Sequence, residues 1–373
     1  MDRFVNASVV VIGGGIVGCS IAYNLAARGV RDVVLLEKAT VGSGTTGRSV
    51  GGIYLLEHDP LHAELAFRGW RLFQRLSEEL DGPTDFRFAE SLTLYTDQAL
   101  FEQGLVSSAR LRAWGIALEV LPLNSIPRVA PHVELTGLVG AIHCPDYAKA
   151  DPYCVTQLYR KAAERRGVHV REGTLVTEVL RDGGRVVGVK TGAEVVRAEV
   201  VVNAAGAEAG GIAAMSGVSL PLVVTKRQAF ALDAPRFTGP VLVECPTDLN
   251  VIPDAGGAIV IQGEASASEP GVDWDQLDAI TLSLKRRVPV LSSAGVRRAW
   301  TGLRTFSVDG RPILGFAFDV LGFFCAVAWG GMGFALGPSV GAVAAEMIVD
   351  GRATLDVSQL SPSRFNRPEL KSV

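Results

Sequence analysis

Three glycines with a fixed spacing form the first candidate site of the chain. Gly13, Gly15 and Gly18 follow an apolar run at 8–13 and open a helical pattern at 16–28. In a strand-turn-helix unit, the first glycine permits the tight turn, the second lets a pyrophosphate approach the backbone, and the third lets helix and strand pack closely. The helix N-terminus would face the phosphates with unpaired N–H groups. The spacing predicts a dinucleotide site; the alternative is a glycine-rich turn in an unrelated α/β protein.

An acidic residue stands where a ribose would lie. Glu37 ends a second apolar run at 32–37 and follows Gly18 by 19 residues. A carboxylate at this position accepts hydrogen bonds from ribose hydroxyls and repels a 2′-phosphate, which argues against NADP. Residues 42–49 form a second loop of small and hydroxyl-bearing residues, which can bind a further part of an extended cofactor. The glycine motif alone does not separate FAD from NAD, and a solvent loop is the alternative for 42–49.

Composition argues against several classes of protein. The 373 residues carry a net charge of −3, which gives no electrostatic reason to expect a nucleic-acid partner. Five cysteines without CxxC spacing favour reduced thiols over a disulfide framework. Pro60 lies between His58 and His62 and breaks a continuous helix there, so no metal site is predicted. Two uncharged apolar stretches, 4–27 and 321–345, have glycine-rich centres and are interpreted as buried strand–helix units, not membrane spans. We expect a cytoplasmic protein.

Hydrophobic periodicity predicts the elements that position these motifs. The segments 8–13, 16–28 and 32–37 form a β-α-β unit. The run 221–265 alternates and is rich in β-branched residues, which is typical of an antiparallel sheet, with turns at 233–235 and 254–257. The remaining elements are helices at 61–80, 100–118, 152–166 and 273–288, and strands at 168–171, 174–180, 185–190, 194–202 and 296–306.

Several segments, in order along the chain, resemble the D-amino acid oxidase superfamily of flavoproteins, which includes glycine oxidase, sarcosine oxidase and several amino-acid dehydrogenases. They are VVVIGGGIVGCSIAYNLA, LLEK, GSGTTGRSVGG, VVNAAGA, WTGLRTFSVDGRPILG and WGGMGFALGPSVG. The TGRS, KRQAF, PDAGG and TGLRTF segments are most similar to the D-arginine dehydrogenase type. The resemblance covers most of the chain and implies FAD as cofactor. Gly302 stands where sarcosine oxidases carry the cysteine that tethers the flavin, so non-covalent FAD is implied.

The order of elements and the resemblance together imply an α/β fold. A Rossmann-type FAD-binding domain would be interleaved with an antiparallel-sheet α+β substrate domain. The FAD-binding domain is expected to be discontinuous, at 1–85, 140–220 and 300–373, and the substrate-binding domain at 86–139 and 221–299. In the family, the flavin ring reaches the boundary between the two.

The resemblance also assigns cofactor contacts. Glu37 and Lys38 would flank the adenosine, Val176 would contact the adenine, and Ala205 and Gly206 would pass under the nucleotide. The loop at 43–47 would follow the pyrophosphate and ribityl chain, and residues 331–334 would place backbone N–H groups at the flavin N1/C2 carbonyl, where negative charge develops on reduction. The implied FAD-binding residues are Gly13, Gly15, Ile16, Val17, Gly18, Glu37, Lys38, Ser43, Gly44, Thr45, Thr46, Gly47, Val176, Ala205, Gly206, Gly331, Met332, Gly333 and Phe334.

Four residues are implied to contact the substrate. Arg304 matches the family's arginine that grips the substrate carboxylate, a task for which a planar guanidinium is suited; a structural ion pair is the alternative. Arg227 is a candidate second carboxylate contact, and Tyr54 a candidate pocket wall or core residue. Asn250 stands where relatives carry a tyrosine. Gly44 stands where the D-arginine dehydrogenase type has a histidine, so arginine does not carry over as the substrate.

The implied function is FAD-dependent oxidation of the Cα–N bond of an amino acid or secondary amine (D-amino acid, glycine/sarcosine or proline-like). Hydride would pass to flavin N5, and the imine would hydrolyse to a 2-oxo acid; no side chain is assigned as a catalyst. The electron acceptor would be oxygen or another oxidant. The alternatives are a flavin-dependent 2-hydroxy-acid dehydrogenase, a non-catalytic flavoprotein subunit or assembly factor, and, last, an NAD-dependent dehydrogenase. Homo- and hetero-oligomers are both compatible with the sequence.

Overall fold

A computed structural model describes residues 3–192, 194–234, 237–267 and 271–365. The predicted turn at 233–235 therefore lies partly outside the described residues. The strands in chain order are β1 (Arg3–Ile12), β2 (Val33–Leu36), β3 (Gly52–Ile53), β4 (Arg87–Phe88), β5 (Ser91–Tyr95), β6 (Glu119–Leu121), β7 (Gly140–Cys144), β8 (Ala148–Lys149), β9 (His169–Arg171), β10 (Val176–Asp182), β11 (Arg185–Thr191), β12 (Glu194–Asn203), β13 (Leu222–Asp233), β14 (Val241–Cys245), β15 (Leu249–Asp254), β16 (Gly257–Ile261), β17 (Ala265–Ser266), β18 (Val296–Ser307), β19 (Ile313–Phe316) and β20 (Phe323–Val327). The α-helices are α1 (Ile16–Ala27), α2 (Pro60–Phe73), α3 (Leu76–Glu79), α4 (Gln98–Ala113), α5 (Ile126–Val129), α6 (Pro152–Arg165), α7 (Ala209–Met215), α8 (Gln276–Arg287) and α9 (Gly333–Val349).

The first sheet contains the predicted β-α-β unit. Its strand order is β10-β11-β12-β1-β2-β9, and β20 also pairs with β12 and carries β19. Strands β20, β12, β1, β2 and β9 are parallel, whereas β10 and β11 form an antiparallel extension. Strands β2 and β20 are buried throughout, and β1 and β12 are buried toward their carboxyl ends, which explains the nearly continuous apolar runs there. The prediction of a Rossmann-type α/β fold is confirmed.

The second sheet is mainly antiparallel, as predicted for 221–265. Its order is β17-β13-β16-β15-β14-β5-β7-β6, with β18 on the free side of β13. Strand β14 pairs with β5 in parallel, a contact between distant segments that the local pattern does not indicate. Two strands expected in the FAD-binding domain, β7 and most of β18, hydrogen-bond into this sheet instead. Strand patterns predict strands but not their partners, and the domain division itself stays a prediction.

Two helices pack closely side by side and align their N-termini. A Cβ on Gly337 of α9 would lie 2.7 Å from Cγ1 of Ile16, and a Cβ on Gly341 would overlap Oγ of Ser20. Because each step of four residues along α9 matches a step of four along α1, the two helices run parallel. Their N-termini, with the positive ends of both helix dipoles, therefore lie at the same edge of the first sheet.

The two long apolar stretches are strand–helix units, as interpreted from the sequence. The first becomes β1 and α1, and the second becomes β20 and α9. Within the described ranges, no helix combines the length and apolar character needed to cross a bilayer.

Helix boundaries differ from prediction in two places. The predicted helix 61–80 is divided into α2 and α3, and the helix predicted at 100–118 ends at Ala113, because Gly115 adopts a φ of +89°.

Candidate functional site

The glycine-rich turn requires glycine at both ends. Gly13 has a φ of +110°, and a Cβ there would overlap the carbonyl oxygen of Ala204 at the end of β12. A Cβ on Gly18 would overlap the carbonyl oxygen of Gly13. Gly15, Ile16 and Val17 lie between them and begin α1, whose first amides have no carbonyl partner within the helix. The turn thus brings β1, α1 and β12 together around a helix N-terminus suited to phosphate.

Glu37 is fixed above this turn. Its Oε2 accepts a hydrogen bond from Gly14 N at 2.7 Å, and its Oε1 accepts one from Ala39 N at 2.9 Å. The carboxylate therefore lies at the carboxyl end of β2, where the prediction requires an acid. Lys38 is exposed and forms an ion pair of 2.6 Å with Glu208, which lies just after Ala205 and Gly206. This pair joins the two segments predicted to flank the adenosine.

Val176 lies close to the same end of the turn. It is buried at the start of β10, and Thr174, two residues before it, donates its N–H to the carbonyl oxygen of Glu37 at 2.8 Å. The structure thus brings together the residues predicted around the adenosine.

The loop at 43–49 connects α1 with the second sheet. Thr46 Oγ1 accepts a hydrogen bond from Ile16 N at 3.2 Å, and Thr45 Oγ1 donates to Leu303 O in β18 at 2.6 Å. Ser43 bonds locally to Thr40 O, whereas a Cβ on Gly44 would meet no atom within 4 Å, and one on Gly47 would overlap Gly42 O. Further along, Arg48 O accepts the indole N–H of Trp300 at 2.9 Å. The loop thus reaches from the phosphate end of the site to β18.

The N-terminus of α9 meets β18 two residues beyond Leu303, at Thr305. Gly330 has a φ of +52° and donates its N–H to Thr305 O at 3.0 Å. Gly331 and Met332 follow, and α9 begins at Gly333. Phe334 is buried, with its ring 5.1 Å from that of Phe73. Residues 331–334 therefore lie at the second of the two aligned helix N-termini. Together with the loop at 43–49, they place the two candidate cofactor-binding segments at neighbouring residues of β18.

Arg304 projects from β18 at this point. Its Nη1 donates to Glu264 Oε1 at 2.7 Å, and its side chain is 25% exposed. Burial lowers the pKa of Arg304, and the charge of Arg227 lowers it further, whereas Glu264 raises it. A half-buried guanidinium of this kind has the donors to hold a carboxylate, and here Glu264 occupies its Nη1.

Arg227 has a carboxylate of its own. It lies on β13, is nearly buried, and directs both terminal nitrogens to Asp248, with Nη2 2.9 Å from Oδ1. Its Nη1 also donates to Gly263 O at 3.0 Å. Asn250 donates from Nδ2 to Asp248 Oδ1 at 3.1 Å. Asn250 therefore helps to position Asp248, the ion-pair partner of Arg227. Contact of Arg227 or Asn250 with a substrate stays a prediction.

Residues 8–347 match the sequence model of a family described as FAD-dependent oxidoreductases. The chain belongs to this family. It is 27% identical, over 97% of its length, to a 4-methylaminobutanoate oxidase (formaldehyde-forming) of Paenarthrobacter nicotinovorans, of which it covers 47%. It is 28% identical, over 96% of its length, to the mitochondrial pyruvate dehydrogenase phosphatase regulatory subunit of Mus musculus, of which it covers 43%. The chain thus spans about half the length of these curated relatives.

A solved structure gives the same fold over nearly the whole chain. The crystal structure of L-proline dehydrogenase from P. horikoshii superposes with a TM-score of 0.90 at 26% identity, covering 98% of this chain and 99% of that one. As a member of the FAD-dependent oxidoreductase family, the chain takes FAD as its cofactor, which confirms the cofactor prediction. The helix N-termini, Glu37 and the loop at 43–49 are the groups of this chain that fit FAD.

Tyr54 lies away from the arginines, on the same face of the second sheet. Its hydroxyl is 3.1 Å from Thr93 Oγ1 on β5, and burial raises its pKa well above the usual range. It packs with core residues such as Tyr95 and Ile261. Tyr54 thus packs against the core of the second sheet, and its role as a pocket wall in contact with a substrate stays a prediction.

Glu264 and Asp248 are the site residues that sequence reasoning missed. Neither belongs to a family motif, and each follows a strand without a distinguishing pattern. The sequence gives one weak indication of acidic partners. Arg227 and Arg304 are charged residues in strands rich in β-branched residues, and half-buried arginines require acidic partners. Which acids they take depends on strand pairing, which the sequence does not specify.

Proposed function

We propose that this flavoprotein oxidises the carbon–nitrogen bond of a small amine that carries a carboxylate. The observation that supports this most directly is the position of Arg304. Arg304 lies on β18 between Leu303, which Thr45 contacts, and Thr305, which Gly330 contacts, and its guanidinium reaches Gly331 in the segment predicted to hold the flavin. A substrate carboxylate bound there would keep the carbon next to it close to the flavin.

The chain's own groups would supply binding and position. Arg304 would take the substrate carboxylate, because a guanidinium offers two parallel N–H donors to a carboxylate. Bound FAD would accept the hydride from the substrate carbon. The N-terminal amides of α9 would stabilise negative charge next to them, since they add a positive dipole end without reorganisation. The wall formed by Tyr54 and neighbouring apolar residues would exclude water from one side.

The relatives support the same class of substrate. The oxidase is named for 4-methylaminobutanoate and the solved dehydrogenase for L-proline, and both compounds combine a secondary amine with a carboxylate. By analogy, we propose an amino acid or secondary amine as the substrate, an imine product that hydrolyses in water, and oxygen or another oxidant as electron acceptor.

A 2-hydroxy-acid dehydrogenase is less well supported. That reaction needs a base for the hydroxyl proton, commonly a histidine. The five histidines have neighbours of their own. The side chain of His58 contacts Ser107, that of His143 contacts Glu90, and the ring of His132 packs against Phe237. His62 lies near Asp59, and His169 lies in β9.

A non-catalytic subunit is the second candidate, because one relative is a regulatory subunit. It would bind FAD and yet lack turnover. The Arg304 site argues against this alternative, since a purely structural role would not require a half-buried guanidinium beside the flavin-holding segments.

Anaerobic mixing with pools of compounds tests the proposal. Purified, FAD-loaded protein would be mixed with D-amino acids, L-amino acids, N-methyl amino acids and 2-hydroxy acids while the visible flavin band is followed. Bleaching by an amine pool supports the proposal, and readmitted air then separates an oxidase from a dehydrogenase. Bleaching by hydroxy acids alone would contradict the proposal and favour a 2-hydroxy-acid dehydrogenase. A yellow protein that no pool reduces would favour the non-catalytic subunit.

A further inference from the structure

Glu264 holds the arginine that the proposed function assigns to the substrate. Its Oε1 lies 2.7 Å from Nη1 of Arg304 and 3.4 Å from Nη1 of Arg227. Its Oε2 accepts a hydrogen bond from Thr225 Oγ1 at 2.8 Å. Thr225 lies directly opposite Arg304 in the pairing of β13 with β18. The Glu264 carboxylate is therefore anchored next to the guanidinium from a neighbouring strand, and its side chain is 28% exposed.

The charges in this cluster balance. Arg227 is paired with Asp248, and Arg304 with Glu264, so two cations face two anions. Burial already disfavours the charged form of Arg304. A ligand that carries only a carboxylate competes with Glu264 for Arg304 and adds a negative charge that no cation in the cluster balances. Such a ligand binds against the repulsion of Glu264.

We propose that Glu264 selects zwitterionic amines by exchanging partners. The substrate carboxylate replaces Glu264 on Arg304, and Glu264, still held by Thr225, pairs with the substrate ammonium group. In an α-amino acid, the nitrogen is bonded to the carbon next to the carboxylate, so the ammonium group enters the same neighbourhood. Each charge keeps a partner throughout. The inference rests on the proposed role of Arg304 and narrows the substrate class to zwitterions, at the expense of simple carboxylates and 2-hydroxy acids.

Ligand binding to FAD-loaded protein tests this without turnover. Dissociation constants would be measured by calorimetry for acetate and for a matched pair, trimethylglycine and 3,3-dimethylbutanoate. The two members have the same shape, but only trimethylglycine carries a positive charge, and neither has an oxidisable amine. The variants are Glu264→Gln, which keeps the shape and removes the charge, and Asp254→Asn. The latter is the control, because Asp254 forms a comparable ion pair with Arg297 elsewhere on the second sheet.

The expected result is a reversal of charge preference. Glu264→Gln should bind acetate about tenfold more tightly than the wild type, because the internal competitor is gone. Its preference for trimethylglycine over 3,3-dimethylbutanoate should fall about tenfold, because the partner of the ammonium group is gone. Asp254→Asn should match the wild type in both measurements. Thr225→Val, which frees Oε2 of Glu264, should change both values in the same direction as Glu264→Gln but less.

Two results would overturn the inference. Acetate binding that Glu264→Gln leaves unchanged, or that is undetectable in both proteins, shows that Glu264 does not compete for Arg304. A wild type that binds both members of the pair equally, or neither, shows that Glu264 does not recognise the ammonium group. Failure of the proposed function is seen separately, since the anaerobic pools report it by turnover. If only hydroxy acids bleach the flavin, that function fails whatever acetate does.

Discussion

The guanidinium of Arg304 lies directly against the backbone of Gly331. A Cβ on Gly331 would be 2.9 Å from Cζ and 2.9 Å from Nη2 of Arg304. Glycine at this position therefore allows the arginine of the second sheet to reach the segment that begins α9. Because Thr305 also accepts the N–H of Gly330, the strand and the segment are held in a fixed relation. The contact joins the proposed substrate arginine to the proposed flavin-holding loop.

Gly331→Ala should displace Arg304 without unfolding the protein. The added methyl group would push the guanidinium away from α9, and such overpacking costs about 1–3 kcal/mol. We expect the KM for the substrate to rise about tenfold, with the flavin still bound. Gly211→Ala is the matched control, because a Cβ there meets no atom within 4 Å. Steady-state kinetics would check both variants, and equal KM values would show that the contact does not position Arg304.

Arg304→Ala should weaken substrate binding more strongly. Loss of a charge-assisted carboxylate contact is expected to raise KM about 100-fold, while FAD stays bound. Arg297→Ala is the control, since Arg297 lies on the same strand and pairs with Asp254 at 3.1 Å. The measurement is KM with the compound that bleaches the flavin, together with the flavin content of each protein. A KM that stays at the wild-type value would remove Arg304 from its proposed role.

Gly341→Ala should separate the two aligned helices. A Cβ on Gly341 would overlap Oγ of Ser20 and lie 2.6 Å from its Cβ, so α9 would have to move away from α1. We expect a loss of about 1–3 kcal/mol in stability and a weaker hold on FAD, because both helix N-termini would shift. Thermal unfolding and flavin retention on gel filtration would be compared with Gly210→Ala, whose Cβ would meet only Leu222 at 3.9 Å. Full flavin retention in Gly341→Ala would contradict the role of the helix contact.

The parts predicted well from sequence are those with local causes. The turn at Gly13–Gly18 and the position of Glu37 follow from conformational needs that only certain residues meet. The parts that the sequence does not specify depend on partners distant in the chain. The strand at 296–306 is predicted and β7 is not, but the membership of both in the second sheet is decided by pairing, of β18 with β13 and of β7 with β5. The position of Glu264 beside Arg304 likewise depends on strand pairing, since it results from the order of β17, β13 and β18.

The FAD should be released by acid. Gly302, which stands where a tethering cysteine would be, lies in β18, where a Cβ would be 3.5 Å from Cβ of Arg48. Glycine offers no thiol for a covalent bond to the flavin. Precipitation of the purified protein with trichloroacetic acid should leave a colourless pellet and a yellow supernatant. A pellet that keeps the flavin absorbance after washing would show a covalent link through another residue.

Glu57 should make the free energy of unfolding of the protein depend on pH. Burial, together with the charge of Asp59, which is fixed as the N-cap of α2, raises the pKa of its carboxyl to about 7. The raised pKa means that this group contributes stability below its unfolded pKa, near 4.3, and loses it as the pH rises through about 7.

Glu57→Gln, which keeps the neutral form at every pH, should equal the wild type in stability near about pH 4 and exceed it by about 3 kcal/mol near about pH 8. Melting temperatures of the two proteins across this range would check it, with the exposed Glu178→Gln as control. A difference that stays constant with pH would mean that Glu57 titrates as it does in the unfolded chain.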